Sequence, residues 1–169
     1  EHSGFARYRQ LSREWQEQLR VMLQAAEDQI NPGRMVQIVR DFFPREAITV
    51  MDGGNTSLWT ACLNPILAPR SYLYTAKFGH LGTGLPYAIG AKLAAPDRPV
   101  YLISGDGAIG FHLQELETAR RYDARIVAVV SCDRGWGMER SSQWFAQIEP
   151  WVECDLYPEA RYDLVAQAL

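Results

Sequence analysis

Three stretches constrain this chain more than any other feature: AITVMD at residues 47–52, VYLISGD at 100–106 and RIVAVVSCD at 125–133. Each is an almost unbroken apolar run that closes on an aspartate with glycine close by. A strand with one wet face alternates apolar and polar residues, whereas an unbroken run leaves neither face for water and has to be covered on both sides. Helical patterns separate the runs, among them GGNTSLWTACL after the first and FHLQELETARRY between the second and third. Apolar strands alternating with helices predict an α/β fold: a doubly wound, mainly parallel sheet with helices on both faces.

The remaining punctuation fits the same architecture. SYLYTAK, residues 71–77, is a further candidate strand, and FGHLGTGLPYAIGAKLAA leads through glycines into a helix of small residues. Pro32-Gly33 reads as a turn, followed by a helix through Met35, Ile38, Val39 and Phe42 that Pro44 stops. Ahead of it, apolar residues from Trp15 to Leu23 recur at helical spacing in a helix expected over residues 5–27. The expected organisation is a leading helical segment over 1–29, a linker or domain extension, and one domain over 30–169. The last residues, RYDLVAQAL, stop within a helical pattern that has no cap, so the chain reads as a piece of a longer polypeptide.

Composition removes several classes of function. At 169 residues with 47% apolar residues the chain can bury one sizeable core. A formal net charge of −3 and the lack of any Lys/Arg cluster give nucleic acid nothing to bind. No apolar run approaches the roughly 18 residues of a membrane span. The opening EHSGFARYRQ lacks the basic-then-apolar order of a secretory leader, so the expected setting is cytoplasmic. Cys62, Cys132 and Cys154 lie far apart, which suits reduced thiols rather than a disulfide framework or paired zinc ligands.

In open parallel sheets ligands collect at the carboxyl ends of the strands. Here those ends are MDGGNTS, SGDGAIG and SCDRGWG. Glycine lets backbone N–H groups approach a ligand closely, and a helix starting at once adds partial positive charge, so three such ends on one edge favour a phosphate. A diphosphate is held best with a hard cation that prefers oxygen ligands. Asp106 and Asp133, 27 positions apart, can supply two carboxylates if the intervening helix makes a right-handed crossover, and a backbone carbonyl of RGWG, that of Gly135 first, can add a third ligand. The competing reading makes each aspartate a turn residue bonded to its own loop.

The GDG at 105–107, followed after 24 residues by CD at 132–133, resembles the thiamin-diphosphate-binding motif, in which GDG precedes a pair of asparagines. INPGRMVQIVRDFFPREAITVMDGGNTSLW and FGHLGTGLPYAIGAKLAAPDRPVYLISGDGAIGFHLQELETARRYDARIVAVV extend the resemblance over roughly residues 30–169. They resemble the C-terminal cofactor domain of the acetolactate synthase, benzoylformate decarboxylase and pyruvate oxidase group. The resemblance implies Mg²⁺ ligands at Asp106, Asp133 and the Gly135 carbonyl. It implies diphosphate contacts from Gly54, Asn55, Thr56, Gly107, Ala108, Gly137 and Met138. Leu81 matches the apolar residue that bends the cofactor, and Gly79 the carbonyl that meets its aminopyrimidine.

The implied function is the cofactor-binding domain of an enzyme that decarboxylates or carboligates 2-keto acids or related acyl donors. Its activating glutamate would come from a pyrimidine-binding domain of the same or a partner subunit, in a homodimer or homotetramer, and the isolated domain would be inactive. Cys132-Asp133 departs from the asparagine pair, keeping an oxygen ligand at Asp133 and losing an amide at Cys132. His80, between Gly79 and Leu81, is expected either to face the substrate pocket or to be satisfied within its loop or at a subunit contact; His112 and Glu115 are expected on a helix, solvated or packed. Trp59, Trp136 and Trp144 are expected as core or interface aromatics. A non-catalytic relative that keeps the fold as a regulatory or assembly module is the alternative. A generic nucleotide-binding domain lacks both GxGxxG after the first strand and a Walker lysine.

Overall fold

A computed structural model describes residues 3–24, 30–75, 77–150 and 152–169. Four strands, β1 (Ile48–Asp52), β2 (Tyr72–Leu73), β3 (Val100–Gly105) and β4 (Val127–Ser131), form one parallel sheet in the order β2-β1-β3-β4. β1 is buried at every position and β3 at all but its last, as unbroken apolar runs require. β4 differs: its residues are exposed or half-buried, because it forms the sheet edge among the described residues. Register pairs Asp52 with Ser104 and Gly105 with Ser131, so β1, β3 and β4 end level with one another.

The helices are α1 (Ser3–Gln24), α2 (Pro32–Phe42), α3 (Asn55–Leu63), α4 (Gly84–Ala94), α5 (Asp106–Ile109), α6 (Glu115–Arg121), α7 (Gly137–Ala146) and α8 (Tyr162–Ala168). Period-two alternation along β3 sends Tyr101 and Ile103 to one face and Leu102 to the other. Against the first face pack Leu19 and Leu23 of α1, Val36 of α2 and Leu63 of α3. The second face takes Leu85, Ala88 and Ile89 of α4, with Ile109 of α5. Full burial of one such aliphatic side chain is worth about 1.5–3 kcal/mol, and Leu102→Ala at this fully buried centre would cost about 2–5 kcal/mol.

Several expected boundaries shift. Pro32-Gly33 is not a turn but the first turn of α2. The Asn31 side chain accepts from the N–H groups of Gly33 (2.9 Å) and Arg34 (3.2 Å), and proline fits the first helical position, where its missing N–H costs nothing. Of the strand expected over 71–77 only Tyr72–Leu73 pairs, with Thr49 and Val50, while Ala76 lies outside the described residues. The helix expected from 111 to 122 contracts to α6, and α5 forms ahead of it. α7, which the sequence reading did not anticipate, holds Ser141 and Ser142 with their hydroxyls donating to the carbonyls of Gly137 and Met138, four residues back. The end of the helix expected to residue 27, and the junction at 29, fall outside the described residues.

Candidate cofactor site

The ends of β1 and β3 turn at once into α3 and α5, the end of β4 reaches α7 through residues 132–136, and the three turns surround a cleft of about 180 Å³. From β1 come Gly54, Asn55 and Thr56; from the β3 end come Asp106, Gly107 and Ala108. The β4 turn supplies Asp133, Gly135, Gly137 and Met138. Gly79 and Leu81 close the remaining side from the loop that precedes α4. Every residue expected from the sequence to hold cofactor or metal therefore lines one cleft.

The glycines are there because the walls touch. A Cβ on Gly54 would lie 2.8 Å from Met138 Cβ, one on Gly107 3.1 Å from the Trp136 ring, and one on Gly137 2.7 Å from Asp133 Oδ2. The β4 turn is held by a short antiparallel strip, in which Trp136 N–H donates to Cys154 C=O (2.8 Å) and Leu156 N–H to Arg134 C=O (2.9 Å). Arg140 adds an exposed ion pair to Asp155 at 2.6 Å. Because Gly135 and Asp155 form the pair flanked by those two bonds, the strip leaves the Gly135 carbonyl turned away from it.

Asp106 is 4% exposed and opens α5. Its Oδ1 accepts from its neighbour Gly107 N–H, and its Oδ2 from Arg134 N–H, both at 2.8 Å. The second bond spans the two strand ends and confirms that the crossover sets β3 and β4 side by side. Burial pushes the Asp106 carboxyl up, the Arg134 and Gly107 amides pull it back, and the charge of Asp133 pushes it up further. Burial likewise raises the Cys132 thiol, helped by Asp106 and Asp133. A carboxylate offers about four acceptor positions, so two remain on Asp106 after its backbone bonds.

Among the described residues no cluster of three or more His, Cys, Asp or Glu side chains could cage a metal alone. The residues present nonetheless fit Mg²⁺: two carboxylates and a free backbone carbonyl are hard oxygen donors, and a site left incomplete suits an ion that also binds diphosphate oxygens and water. The glycine-lined walls fit a diphosphate equally well.

Three neighbours escaped the sequence reading. Trp136, expected as a core or interface aromatic, lines the cleft, and Trp59 packs on the core. Asp52 is 3% exposed beneath the cleft, with Oδ1 accepting from Gly53 N–H and Oδ2 from Gly84 N–H, both at 2.7 Å. Its signal was visible, since MDGG has the strand-end aspartate and glycines of the other two turns, but its partner 32 residues away was not. His112 is not on a helix: it lies in the loop before α6 and donates through Nδ1–H to Gly82 C=O at 2.7 Å.

Fold and site together define a domain that holds thiamin diphosphate. Residues 52–168 match the family described as thiamine pyrophosphate enzyme, C-terminal TPP binding domain, and the chain belongs to that family. It is 36% identical over 144 residues to bovine (Bos taurus) 2-hydroxyacyl-CoA lyase 2, covering 83% of this chain and 23% of that protein. It is 34% identical over 140 residues to the acetolactate synthase large subunit IlvG of Mycobacterium tuberculosis, covering 83% and 25%. Among solved structures it superposes on a thiamine diphosphate-dependent 4-hydroxybenzoylformate decarboxylase of Rhodococcus jostii RHA1 with a TM-score of 0.77 and 27% identity, over 85% of this chain and 27% of that one. The chain thus spans about a quarter of the length of these relatives.

Proposed function

We propose that this domain binds the diphosphate of thiamin diphosphate through Mg²⁺, as the C-terminal part of an acetolactate-synthase-like enzyme that decarboxylates or carboligates 2-keto acids or related acyl donors. The observation that carries this reading is the convergence of three glycine-and-aspartate strand ends with Leu81 on one cleft. Asp106, Asp133 and the Gly135 carbonyl hold the cation. Gly54, Asn55, Thr56, Gly107, Ala108, Gly137 and Met138 surround the diphosphate, while Leu81 and Gly79 face the organic half.

When bound, thiamin diphosphate supplies the electron sink needed to break or make a bond at an acyl carbon. This chain's own work is to place that group: backbone N–H groups and the cation neutralise the anionic end, and the apolar wall keeps the rings oriented and dry. The activating glutamate belongs in this proposal to a pyrimidine-binding domain of the same or a partner subunit, within a homodimer or homotetramer. The three unpaired cysteines accord with the cytoplasmic setting that forms part of the same reading.

The test is to supply the full-length protein with thiamin diphosphate, Mg²⁺ and a panel of short 2-keto acids and to follow CO₂ release. Cofactor-dependent release from at least one acid is expected; cofactor binding without release from any would confine the reading to acyl donors that lose no CO₂.

A further inference from the structure

We infer that Asp52 and His112, which do not line the cleft, are positioning residues that clamp the 79–84 loop and thereby fix Leu81 at the apolar wall; this rests on the cofactor reading above. Residues 79–83 form no regular element, Phe78 is 94% exposed, and Gly79 and Gly82 adopt φ of 58° and 91°. Yet Leu81 is half-buried and reaches the cleft.

Two anchors hold the residues just after Leu81, Gly82 and Gly84. At Gly84, the first residue of α4, the buried Asp52 carboxylate accepts from the N–H with one oxygen, and with the other it accepts from Gly53 N–H, both at 2.7 Å. One side chain thus ties the start of α4 to the turn that carries Gly54, Asn55 and Thr56. A negative charge at the first turn of an eleven-residue helix also meets an otherwise orphaned N–H and the positive end of the helix dipole. At Gly82, His112 holds the C=O at 2.7 Å. A carbonyl can only accept, so Nδ1 carries the proton. His112 follows α5, whose first residues are Asp106, Gly107 and Ala108, and the clamp therefore ties the loop of Leu81 to two of the three diphosphate-facing turns, those after β1 and β3.

The glycines of the loop are shaped by these anchors. A Cβ on Gly84 would lie 2.6 Å from Asp52 Cβ and 2.7 Å from Leu102 Cδ1. One on Gly82 would collide with Phe111 Cβ and lie 2.6 Å from His112 Nδ1. Phe111 in turn meets the cleft residue Trp136 edge-on at 5.8 Å. Such close approach has no purpose in a freely moving loop.

The test compares two ligands on the full-length protein in the presence of Mg²⁺. In His112→Leu, affinity for thiamin diphosphate should fall about tenfold, the worth of one hydrogen bond, while affinity for inorganic diphosphate stays within about twofold, since the anion-facing turns are untouched. His112→Asn, whose amide nitrogen falls near Nδ1, should recover most of the loss. Asp52→Asn, which turns an NH₂ toward one of its two amides, should also weaken thiamin diphosphate binding, with a smaller loss for inorganic diphosphate because Gly53 N–H belongs to the turn that carries Gly54, Asn55 and Thr56. Unchanged thiamin diphosphate binding in His112→Leu overturns the clamp, and so does an equal loss for both ligands, the mark of a merely structural role. If the wild type binds neither ligand the cofactor reading fails instead. The clamp is then judged by hydrogen exchange in ligand-free protein: His112→Leu should speed exchange at residues 81–84 while β3 stays protected, and unaltered exchange there overturns it.

Discussion

Leu81→Ala separates recognition of the cofactor's organic half from stability of the fold. The substitution removes three carbons, worth at most about 2.4 kcal/mol at about 0.8 kcal/mol each. Leu81 is already half-buried, so a ligand covers only its remaining surface, and about 1–2 kcal/mol is the reasonable share, equal to about a 5- to 30-fold loss of affinity. Leu81 belongs to neither hydrophobic core, so the core amides of β3 should keep their protection, with a change below about 0.5 kcal/mol. Calorimetric titration of the full-length variant with thiamin diphosphate, and in parallel with inorganic diphosphate, reads both halves of the cleft: the first should weaken and the second should not. Equal weakening of both would refute a division of the cleft into an apolar wall and an anion-facing wall. So would unchanged affinity for thiamin diphosphate.

Asp106→Ala should abolish the Mg²⁺ dependence of thiamin diphosphate binding and leave the Arg134 and Gly107 amides without their 2.8 Å acceptor, visible as faster exchange at those amides. Gly137→Ala places a Cβ 2.7 Å from Asp133 Oδ2 and 2.9 Å from Asn55 Nδ2. Both side chains are exposed and can yield, so stability should change by less than about 0.5 kcal/mol while the Mg²⁺ concentration needed for half-maximal cofactor binding rises. The native Asp106 carboxyl titrates above its unfolded value, so its charge costs stability above the native pKa, and that cost disappears as pH falls toward the unfolded value near 4. As pH is lowered from neutral toward that value, hydrogen exchange of β3 in ligand-free protein should therefore show the wild type gaining stability relative to Asp106→Asn, and a relative loss would reverse the sign assigned to burial.

What could be read from the residues follows from how local the physics was. β1 and β3 were legible because a strand buried on both faces has to be apolar throughout. The shared edge was legible because parallel strands all end on one side and glycine with aspartate marked each end. β2 was over-extended, since Tyr72–Leu73 pairs only at the sheet margin and the rest of the apolar-looking segment has no partner among the described residues. α7 was missed because two serines and a glycine start weaken a helical pattern that hydroxyl-to-carbonyl bonds accommodate in the fold. Pro32-Gly33 misled because the same dipeptide suits a turn or a first helical turn, and the decision rests on the Asn31 cap and on Leu23, Leu63 and Trp59 packed against Gly33. Asp52 and His112 escaped for a different reason. Their partners, Gly84 and Gly82, are 32 and 30 residues distant, and nothing local records which loop a buried carboxylate or an imidazole will meet.

Calorimetric titration of the full-length wild-type protein with thiamin diphosphate, with Mg²⁺ and then with a chelator, tests the central claim most directly. Saturable binding at one site per chain that vanishes when the cation is removed is the predicted result. Absence of binding, or binding indifferent to the chelator, would contradict a site in which Asp106, Asp133 and the Gly135 carbonyl hold the cation that holds the diphosphate.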